Sequence, residues 1–357
     1  MILDINGAFS RAFPFFFPMP RRPKQSAPII AHDFRLQKLY IQRLKQVLPL
    51  TPKSEWERLI GELAALGAAI IWAIEPTFYR KALLKTKPFP ANTVRCLGTS
   101  AVLICCLLAT VRISVLASLP LNAVILTCLS GIIGLVLGDT LYMEGLKLIG
   151  VARAVPLVCT YPLFNFFWAV FLLGEPVTLP LVFGAVMIVF GVWLLSQKND
   201  REEIKTQKKI LIKGVIASLG SAVTWSIAVA LVNMVVKFQG AGGFENNLAF
   251  NTIRTVATAV SLLALSPILD RDHGFLKVQR KTLIELCAGG VMSMGIGWFL
   301  LNFSFLNTLE SQAVPISSTT PLFSTLIGTI FLKEKVTMKS ALGSIAIVIG
   351  ISLIFMI

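Results

Sequence analysis

The stretch ARAVPLVCTYPLFNFFWAVFLLGEPV at residues 152–177 decides the fold, because a second copy of its pattern, SQAVPISSTTPLFSTLIGTIFLKEKV, occupies residues 311–336. The two copies align without a gap at an offset of 159 positions. Both contain Ala-Val-Pro, then Pro-Leu-Phe, then Leu-x-Glu-x-Val. Chance similarity between apolar segments would not keep three motifs in one register, so the chain contains an internal repeat.

The same offset continues on both sides of this stretch and covers four of the five segments predicted in each half. The first segments match at a different offset, 153 positions. The matched positions are Gly184 and Gly191 with Gly343 and Gly350, Gly138 with Gly297, residues 92–95 (Asn-Thr-Val-Arg) with 251–254 (Asn-Thr-Ile-Arg), and Gly67 and Trp72 with Gly220 and Trp225.

The composition of the 357-residue chain predicts an integral membrane protein. Hydrophobic residues make up 55%, charged residues only 14%, and the mean hydropathy is +0.77. Soluble proteins carry about 25% charged residues, so this chain has too few charges to cover a surface that faces water. An ordinary cytosolic enzyme and a disordered regulator are therefore excluded. A nucleic-acid-binding protein is disfavoured despite the net charge of +15.

From residue 61 onward, apolar runs alternate with short polar breaks. Each run is near the ~20 residues that a helix needs to cross the hydrocarbon layer. The runs are continuous rather than alternating, which favours helices over a β-barrel. A strongly charged break at 197–213 separates five runs from five. The predicted spans are 61–80, 91–110, 122–146, 152–174, 178–196, 213–236, 247–266, 283–306, 312–332 and 338–357.

The number of spans in each repeat predicts their topology. Because five is odd, matching helices must cross the membrane in opposite directions. The predicted fold class is therefore an all-α integral membrane protein, with ten transmembrane helices arranged as two inverted five-helix repeats. Inverted repeats are typical of secondary transporters, whose substrate site lies near the midplane between the halves. The alternative is a duplicated scaffold that transports nothing.

The repeated motifs resemble the EamA domain. The resemblance rests on Ala154-Val155-Pro156, Tyr161-Pro162-Leu163-Phe164 and Leu173-Gly174-Glu175 with their second copies, and also on Gly67, Trp72 and residues 138–142 (Gly-Asp-Thr-Leu-Tyr). It covers residues 61–357 and implies the drug/metabolite transporter superfamily, with ten helices and a central cavity. Members of that superfamily move amino acids, metabolites, drugs or sugar derivatives, often as exporters. The motif identifies the scaffold and leaves the substrate open.

Ionisable residues inside apolar spans usually face a cavity or a partner. Arg95 and Arg254 hold equivalent positions, and we expect them to present cationic groups to a shared pathway, where guanidinium suits a carboxylate or phosphate. The alternative is that both side chains reach out to the lipid headgroups. Asp139 corresponds to Trp298, so an acid in only one half predicts an asymmetric role, either pairing with an arginine or carrying a coupling proton. The candidate substrate-pathway residues are Arg95, Arg254, Asp139, Glu75, Glu144, Asn92, Asn251 and Tyr161.

Prolines interrupt the fourth and ninth spans at corresponding positions. Paired interruptions of this kind indicate a binding site in transporters. Hydroxyl side chains beside them could contact a substrate or satisfy the backbone carbonyls that the prolines release. The candidate helix-break and gating residues are Pro156, Pro162, Pro315 and Pro321.

The predicted domains are a basic N-terminal extension (1–60), a first repeat (61–197), a charged linker (198–212) and a second repeat (213–357). We expect the extension to be partly disordered, with a basic amphipathic helix from Asp33 to Leu48 that suits a membrane surface or is simply solvated. The six cysteines lie in apolar segments without metal or redox spacing, so no metal site is predicted.

These patterns predict a multi-pass secondary transporter, an exporter or permease, that carries a small organic metabolite by alternating access. We expect a small-molecule substrate with a coupled proton or none, the lipid bilayer as a partner, no nucleic acid, no cofactor and no catalytic residues, since the motifs of membrane-embedded hydrolases are absent from the sequence. The alternative is a non-transporting scaffold or sensor that uses its basic tail. The expected location is the cell membrane. Loop charges place the termini outside and the resemblance implies cytoplasmic termini, so orientation stays open along with oligomeric state.

Overall fold

A computed structural model describes residues 55–110, 115, 119–165, 167, 178–196, 205–238, 244–307, 313, 316–333 and 336–354. The chain divides into two compact units, Met1–Arg58 and Leu59–Ile357. Of the first unit, only residues 55–58 are described, and they form the start of a helix. The amphipathic helix expected in the tail lies outside the described residues. The account below concerns the second unit.

The described part of the chain is helical throughout, and it contains no β-strand. This confirms the prediction of an all-helical fold. The helices of the first half are α1 (Glu55–Leu83), α2 (Pro88–Thr110), α3 (Leu121–Ile149), α4 (Val151–Val158) and α5 (Leu179–Ser196). Those of the second half are α6 (Lys205–Phe238), α7 (Phe244–Leu269), α8 (280–307), α9 (Thr320–Leu332) and α10 (Met338–Ile354).

Six described helices, namely α1, α2, α3, α6, α7 and α8, are long and apolar enough to cross a membrane. Three shorter helices, α5, α9 and α10, are also apolar. Large apolar side chains point outward from them, among them Phe183, Trp193 and Phe331, each more than half exposed. An exterior of this kind suits lipid rather than water. The chain is therefore a multi-pass membrane protein, and the number of ten spans stays a prediction.

Both halves contain a π-helical segment at the same place in the repeat. The first π segment, Gly131–Gly138, interrupts α3, and the second π segment, Val291–Gly297, interrupts α8. In a π-helix each amide bonds to the carbonyl five residues back, a geometry that is rare and often marks a functional site. The two segments overlap under the offset of 159 positions, so the irregularity belongs to the repeat.

Helices α5 and α10 pack directly on each other through glycines. A Cβ atom built on Gly184 would lie 2.6 Å from the carbonyl oxygen of Gly350, and one built on Gly191 would lie 2.6 Å from that of Gly343. The earlier glycine of α5, Gly184, thus contacts the later glycine of α10, and Gly191 contacts the earlier one. These two equivalent helices are therefore antiparallel. We call the four residues the glycine seam. An antiparallel pair of equivalent helices fits the inverted topology expected of the repeats.

Contacts elsewhere repeat in matched pairs. A Cβ on Gly138 would meet the Trp225 ring, and one on the equivalent Gly297 would meet the ring of Trp72, the counterpart of Trp225. Likewise a Cβ on Gly67 would lie 3.3 Å from Leu300, and one on Gly220 would lie 3.3 Å from Leu141. Each of these contacts joins one half to the other. The small residues therefore bring the two halves into close contact across a shared interface.

Candidate functional site

A buried ion pair lies at the centre of the first half. Asp139 is the first residue after the first π segment, and its Oδ2 atom accepts a hydrogen bond from Nη2 of Arg95 on α2. Both residues are only 2% exposed. The other carboxylate oxygen, Oδ1, accepts a hydrogen bond of 2.8 Å from the indole of Trp225 on α6. The carboxylate is thus held from both halves of the chain.

Asn92 connects the ion pair to the π segment. Its Oδ1 atom accepts a 2.8 Å hydrogen bond from Nη2 of Arg95. Its Nδ2 atom donates to the carbonyl of Leu135 at 2.7 Å and lies 2.9 Å from the hydroxyl of Thr140. Leu135 belongs to the first π segment, where the irregular winding disturbs regular carbonyl pairing. Asn92 therefore satisfies a backbone acceptor and orients the arginine at once.

Tyrosines and a second acid complete this polar cluster, which we define as Glu75, Tyr79, Asn92, Arg95, Asp139, Tyr142 and Trp225. Nη1 of Arg95 lies 3.4 Å from the Tyr79 hydroxyl, and its guanidinium lies 5.2 Å from the Tyr79 ring centroid. The Tyr142 hydroxyl donates to Oε1 of Glu75 at 3.4 Å. Glu75 is 4% exposed, and its Oε2 atom has no hydrogen-bond partner among the described residues.

The second half repeats part of this arrangement. Nδ2 of Asn251 donates to the carbonyl of Met294 at 2.7 Å, which is the counterpart of the bond from Asn92 to Leu135. Arg254 lies with its guanidinium carbon 4.9 Å from the ring centroid of Trp298. Trp298 stands where Asp139 stands in the first half. One arginine is therefore matched by a carboxylate and its equivalent by an aromatic face.

The two arginines are deep in their helices. Arg254 is 8% exposed and ten residues from the start of α7, and Arg95 is seven residues from the start of α2. Ten residues of α-helix correspond to about 15 Å, or half of a hydrocarbon layer. Both side chains contact protein groups along the helix rather than extending past its end.

Besides Asn251 and Arg254 of the second half, two predicted residues lie outside the polar cluster. Glu144, near the end of α3, pairs with Lys213 of α6 at 2.8 Å and is partly exposed. The Tyr161 ring stands edge-on to Trp225, with centroids 6.4 Å apart. Tyr161 thus borders the cluster through the same tryptophan that holds Asp139, whereas Glu144 ties the ends of two helices together.

The proline-containing segments have matching turns. Helix α4 contains Pro156 and ends at Val158, and a turn at 159–160 precedes the helical residues 161–165, which include Pro162. In the second half a turn at 318–319 precedes α9, which has Pro321 near its start. The hydroxyls of Thr160 and Thr319 donate to the carbonyls of Leu157 and Ile316, each at 2.7 Å. Both carbonyls also accept hydrogen bonds from the backbone amides of Thr160 and Thr319, whereas the carbonyl that Pro321 releases, that of Ser317, accepts a hydrogen bond from the Thr320 hydroxyl. Pro315 lies outside the described residues.

Four members of the site were not singled out as partners in the sequence, namely Tyr79, Tyr142, Trp225 and Trp298. Trp225 marked the repeat, and Tyr142 belonged to the Gly-Asp-Thr-Leu-Tyr motif. The available signal was the presence of hydroxyl-bearing or indole side chains at helical spacing around ionisable residues. Among the described residues, no group of His, Cys, Asp or Glu side chains could hold a metal ion.

Comparison with known proteins identifies similar chains. The EamA-like transporter family matches residues 59–197 and 212–356. A protein of Archaeoglobus fulgidus described as an uncharacterized transporter is 23% identical over 301 residues, which cover 82% of this chain and 97% of that protein. An uncharacterized protein of Methanocaldococcus jannaschii is 29% identical over 133 residues, covering 36% of this chain and 95% of that protein.

One solved crystal structure, described only as that of a protein, has the same fold. It superimposes with a TM-score of 0.56 at 20% identity and covers 82% of this chain and 95% of the other chain. At this identity the likeness speaks for the fold and not for the activity.

Proposed function

Because the chain belongs to the EamA-like transporter family, we propose that this membrane transporter is a permease that carries a small organic metabolite across the cell membrane by alternating access. In this proposal, ten transmembrane helices form two inverted repeats, 61–197 and 213–357, joined by the charged linker 198–212. The two halves rock against each other around a site near the membrane midplane.

The observation that carries the proposal is that charged groups are buried at mid-helix where the halves meet. Asp139 of the first half is bonded to Trp225 of the second, and Arg254 of the second lies against the first π segment. Ionisable groups at such depth mark substrate or ion pathways in membrane proteins. The proposed pathway is lined by the residues predicted for it, namely Glu75, Asn92, Arg95, Asp139, Tyr161, Asn251 and Arg254.

Rocking of the two halves requires contacts that hold one end of the pathway closed in one state and break when that end opens. At one end, Nη1 of Arg80 donates to the Lys147 carbonyl at 2.5 Å, and Nζ of Lys147 donates to the Thr86 carbonyl at 2.9 Å. The ion pair between Glu144 and Lys213 joins α3 of the first half to α6 of the second at the same end. Of these three contacts only the ion pair joins the two halves, and an ion pair that is partly exposed is weak enough to exchange with water when the end opens. Glu144 therefore acts as part of a gate rather than as a substrate ligand.

Coupling to a proton is assigned to Glu75 within this proposal. Asp139 already accepts bonds from Arg95 and Trp225, so both of its oxygens are engaged. Glu75 is buried and has one oxygen without a partner among the described residues. A carboxyl group in that position can take up and release a proton while the ion pair stays intact. We expect Glu75→Gln to keep solute exchange and to abolish proton movement, measured with a pH dye inside proteoliposomes.

The proposed function is tested by counterflow in proteoliposomes. Vesicles loaded with an unlabelled metabolite mixture are diluted into the labelled mixture, and we expect protein-dependent accumulation of one or a few labelled compounds. Vesicles without protein are the control. The absence of accumulation for every compound, with protein shown to be folded, would contradict the proposal. Deleting residues 1–50 distinguishes the transporter from the scaffold alternative. A transporter should keep its flux without the basic tail, whereas a scaffold that uses the tail should show no flux in either form.

A further inference from the structure

We propose that Arg254 is the anion-binding residue of the transport site, and that the substrate therefore carries a carboxylate or phosphate group. This inference rests on the proposed function, because it names the substrate class of the same site. It assigns different roles to two equivalent arginines. Arg95 is a structural cation with its own counter-ion, and Arg254 holds the charge that is left for a ligand.

The first argument is that no described carboxylate lies within ion-pair distance of Arg254. Its side chain is 8% exposed, and its guanidinium makes no ion pair and donates no hydrogen bond to any described residue. Its Nε atom is buried without a partner, as is that of Arg95. The difference lies in the terminal nitrogens. Those of Arg95 bond to Asn92, Asp139 and Tyr79, whereas those of Arg254 bond to none of the described residues and its guanidinium lies against the face of Trp298.

The second argument comes from the repeat itself. Two side chains of the first half that pair with Arg95 are replaced by apolar residues in the second. Asp139 corresponds to Trp298, and Tyr79 corresponds to Val232. The acid nearby also disappears, since Glu75 corresponds to Ala228. The arginine was kept and its pairing groups were not, so no described side chain of the second half forms an ion pair with this positive charge.

The third argument is the shape of the surroundings. A Cβ atom on Gly134, in the first π segment, would lie 3.3 Å from Nη2 of Arg254 and 2.6 Å from the Cβ atom of Ala228. One side of the guanidinium thus meets a backbone without a side chain, and Trp298 covers its face. A cation–π contact uses the face of a guanidinium and leaves the N–H donors along its edge free for a planar anion.

The energetics favour an anionic ligand over a neutral one. An unpaired charge in a medium of low polarity is strongly disfavoured, whereas a charge-assisted bidentate pair offsets that penalty. Lipid headgroups are a second source of phosphate. Arg254, however, lies ten residues, or about 15 Å, from the start of α7 and inside the predicted span 247–266, away from the headgroups. A soluble anion that enters from water is therefore the expected ligand.

Binding is tested on purified protein in a nonionic detergent, which contributes no anionic headgroup. The probes are succinate, benzoate and inorganic phosphate, with succinamide and benzamide as neutral matches. At least one anion should raise the Tm of the protein by about 2 °C or more at saturation, and the neutral matches should not. The shift should vanish in Arg254→Gln and persist in Arg280→Gln, an exposed arginine at the start of α8. If no anion outperforms its neutral match, or if the shift survives in Arg254→Gln, the inference is overturned.

Trp298→Asp provides a second test. It places in the second half the carboxylate that Arg95 has in the first, so Arg254 acquires an internal counter-ion. We expect this variant to lose the anion-dependent shift, whereas Trp298→Ala keeps it at lower affinity. Equal anion shifts in the Asp and Ala variants would contradict the inference. Excess phosphatidylglycerol added to the detergent should leave the succinate shift in place, and its loss would point to a lipid headgroup instead.

The Tm of each variant without ligand provides a further test that does not depend on transport. Arg254→Gln removes a charge that forms no ion pair with any described residue, and it should leave the Tm of the protein unchanged or higher. Arg95→Gln leaves Asp139 without its cation and should lower the Tm. A drop in Arg254→Gln as large as that in Arg95→Gln would overturn the inference whatever the flux assays give. Arg254-dependent binding without flux, by contrast, would refute the proposed transport and leave the binding site standing.

Discussion

At the scale of single residues, the ion pair of Arg95 and Asp139 has the strongest claim to a structural role. It is buried, bonded on both carboxylate oxygens, and supported by Asn92 and Tyr79. A buried pair of this kind contributes little compared with apolar residues of the same volume, but removing one partner is severe because the other charge stays behind. This asymmetry makes the pair testable without a substrate.

We predict that Asp139→Asn lowers the free energy of unfolding by about 3–5 kcal/mol, because Arg95 is left buried without a counter-ion. The double variant Arg95→Met, Asp139→Leu should lose less than Asp139→Asn alone, since no charge remains. The measurement is unfolding in mixed micelles followed by far-ultraviolet circular dichroism. A double variant that loses as much as Asp139→Asn, or more, would show that the penalty does not come from the charge left behind.

The two asparagines allow a matched comparison. Asn92→Leu and Asn251→Leu each remove one buried hydrogen bond to a backbone carbonyl, that of Leu135 or Met294, at a penalty of about 1–3 kcal/mol. Asn92→Leu should be the more damaging of the two, because Asn92 also accepts a hydrogen bond from Arg95. The same unfolding assay checks the order. The reverse order would mean that the link to the arginine adds nothing.

At the scale of elements, glycine determines how closely helices approach. The glycine seam between α5 and α10 places backbone against backbone, and the first π segment presents Gly131, Gly134 and Gly138 to α6 and α7. Small residues at such interfaces replace the hydrophobic driving force, which is missing between helices in lipid, with close van der Waals contact. A single methyl group at these positions has nowhere to go unless a helix moves.

We expect Gly184→Ala to destabilise the protein by about 1–3 kcal/mol, because its Cβ atom would lie 2.6 Å from the Gly350 carbonyl oxygen. Gly295→Ala is the matched control. Its Cβ atom would have Val291 Cγ1 as its nearest neighbour at 3.8 Å, an ordinary contact. That variant should stay within about 0.5 kcal/mol of the native protein. Equal thermal unfolding of the two variants would rule out a tight seam.

At the scale of the whole molecule, two halves of one pattern meet along a shared interface. Trp225 of the second half packs on Gly138 of the first, and Trp72 of the first packs on Gly297 of the second. The first half supplies every member of the polar cluster except Trp225, and the second half places Arg254 against the apolar face of Trp298. The scaffold is therefore close to twofold, whereas the chemistry is not. In the proposed transporter, the substrate is recognised by the residues that differ between the two halves.

Holding the two halves together at one end should stop transport. In a background with the exposed Cys105 and Cys106 replaced by serine, we predict that a short bifunctional maleimide on Glu144→Cys, Lys213→Cys abolishes counterflow. The chemical cross-link fixes the end of α3 to the first part of α6, so the two halves can no longer separate at this end of the molecule. A monofunctional maleimide on the same variant should leave most of the flux. Normal flux after complete cross-linking would exclude opening at this end.

Much of the fold follows from the sequence, because the hydropathy of each segment and the constant offset between the repeats can both be read directly from the order of the residues. The predicted spans 91–110 and 122–146 fall within α2 (Pro88–Thr110) and α3 (Leu121–Ile149). The π segments were not predicted. Their winding depends on side chains from another helix, since Asn92 and Asn251 on α2 and α7 supply the donors for carbonyls on α3 and α8.

The sequence predicted which residues belong to the candidate site, but not which of them contact each other. Arg95, Asp139, Arg254 and Glu75 are visible as ionisable residues in apolar runs. Which arginine has a counter-ion depends on how α1, α2, α3 and α6 pack, and no spacing in the sequence encodes that arrangement. The identification of Trp298 as the aromatic partner of Arg254 likewise required a fold, although its place opposite Asp139 was visible in the repeat.

The unequal partners of Arg95 and Arg254 have a consequence for the resting equilibrium of a carrier. If two inverted repeats were identical, exchanging their conformations would convert the inward-open state into the outward-open state with no change in free energy, and the empty carrier would divide equally between them. Here the halves differ at their most polar position, so this degeneracy is broken. A difference of about 1.4 kcal/mol already puts ten molecules in one state for each in the other. The empty protein should therefore rest with one face open, and the ligand that neutralises Arg254 should shift that population.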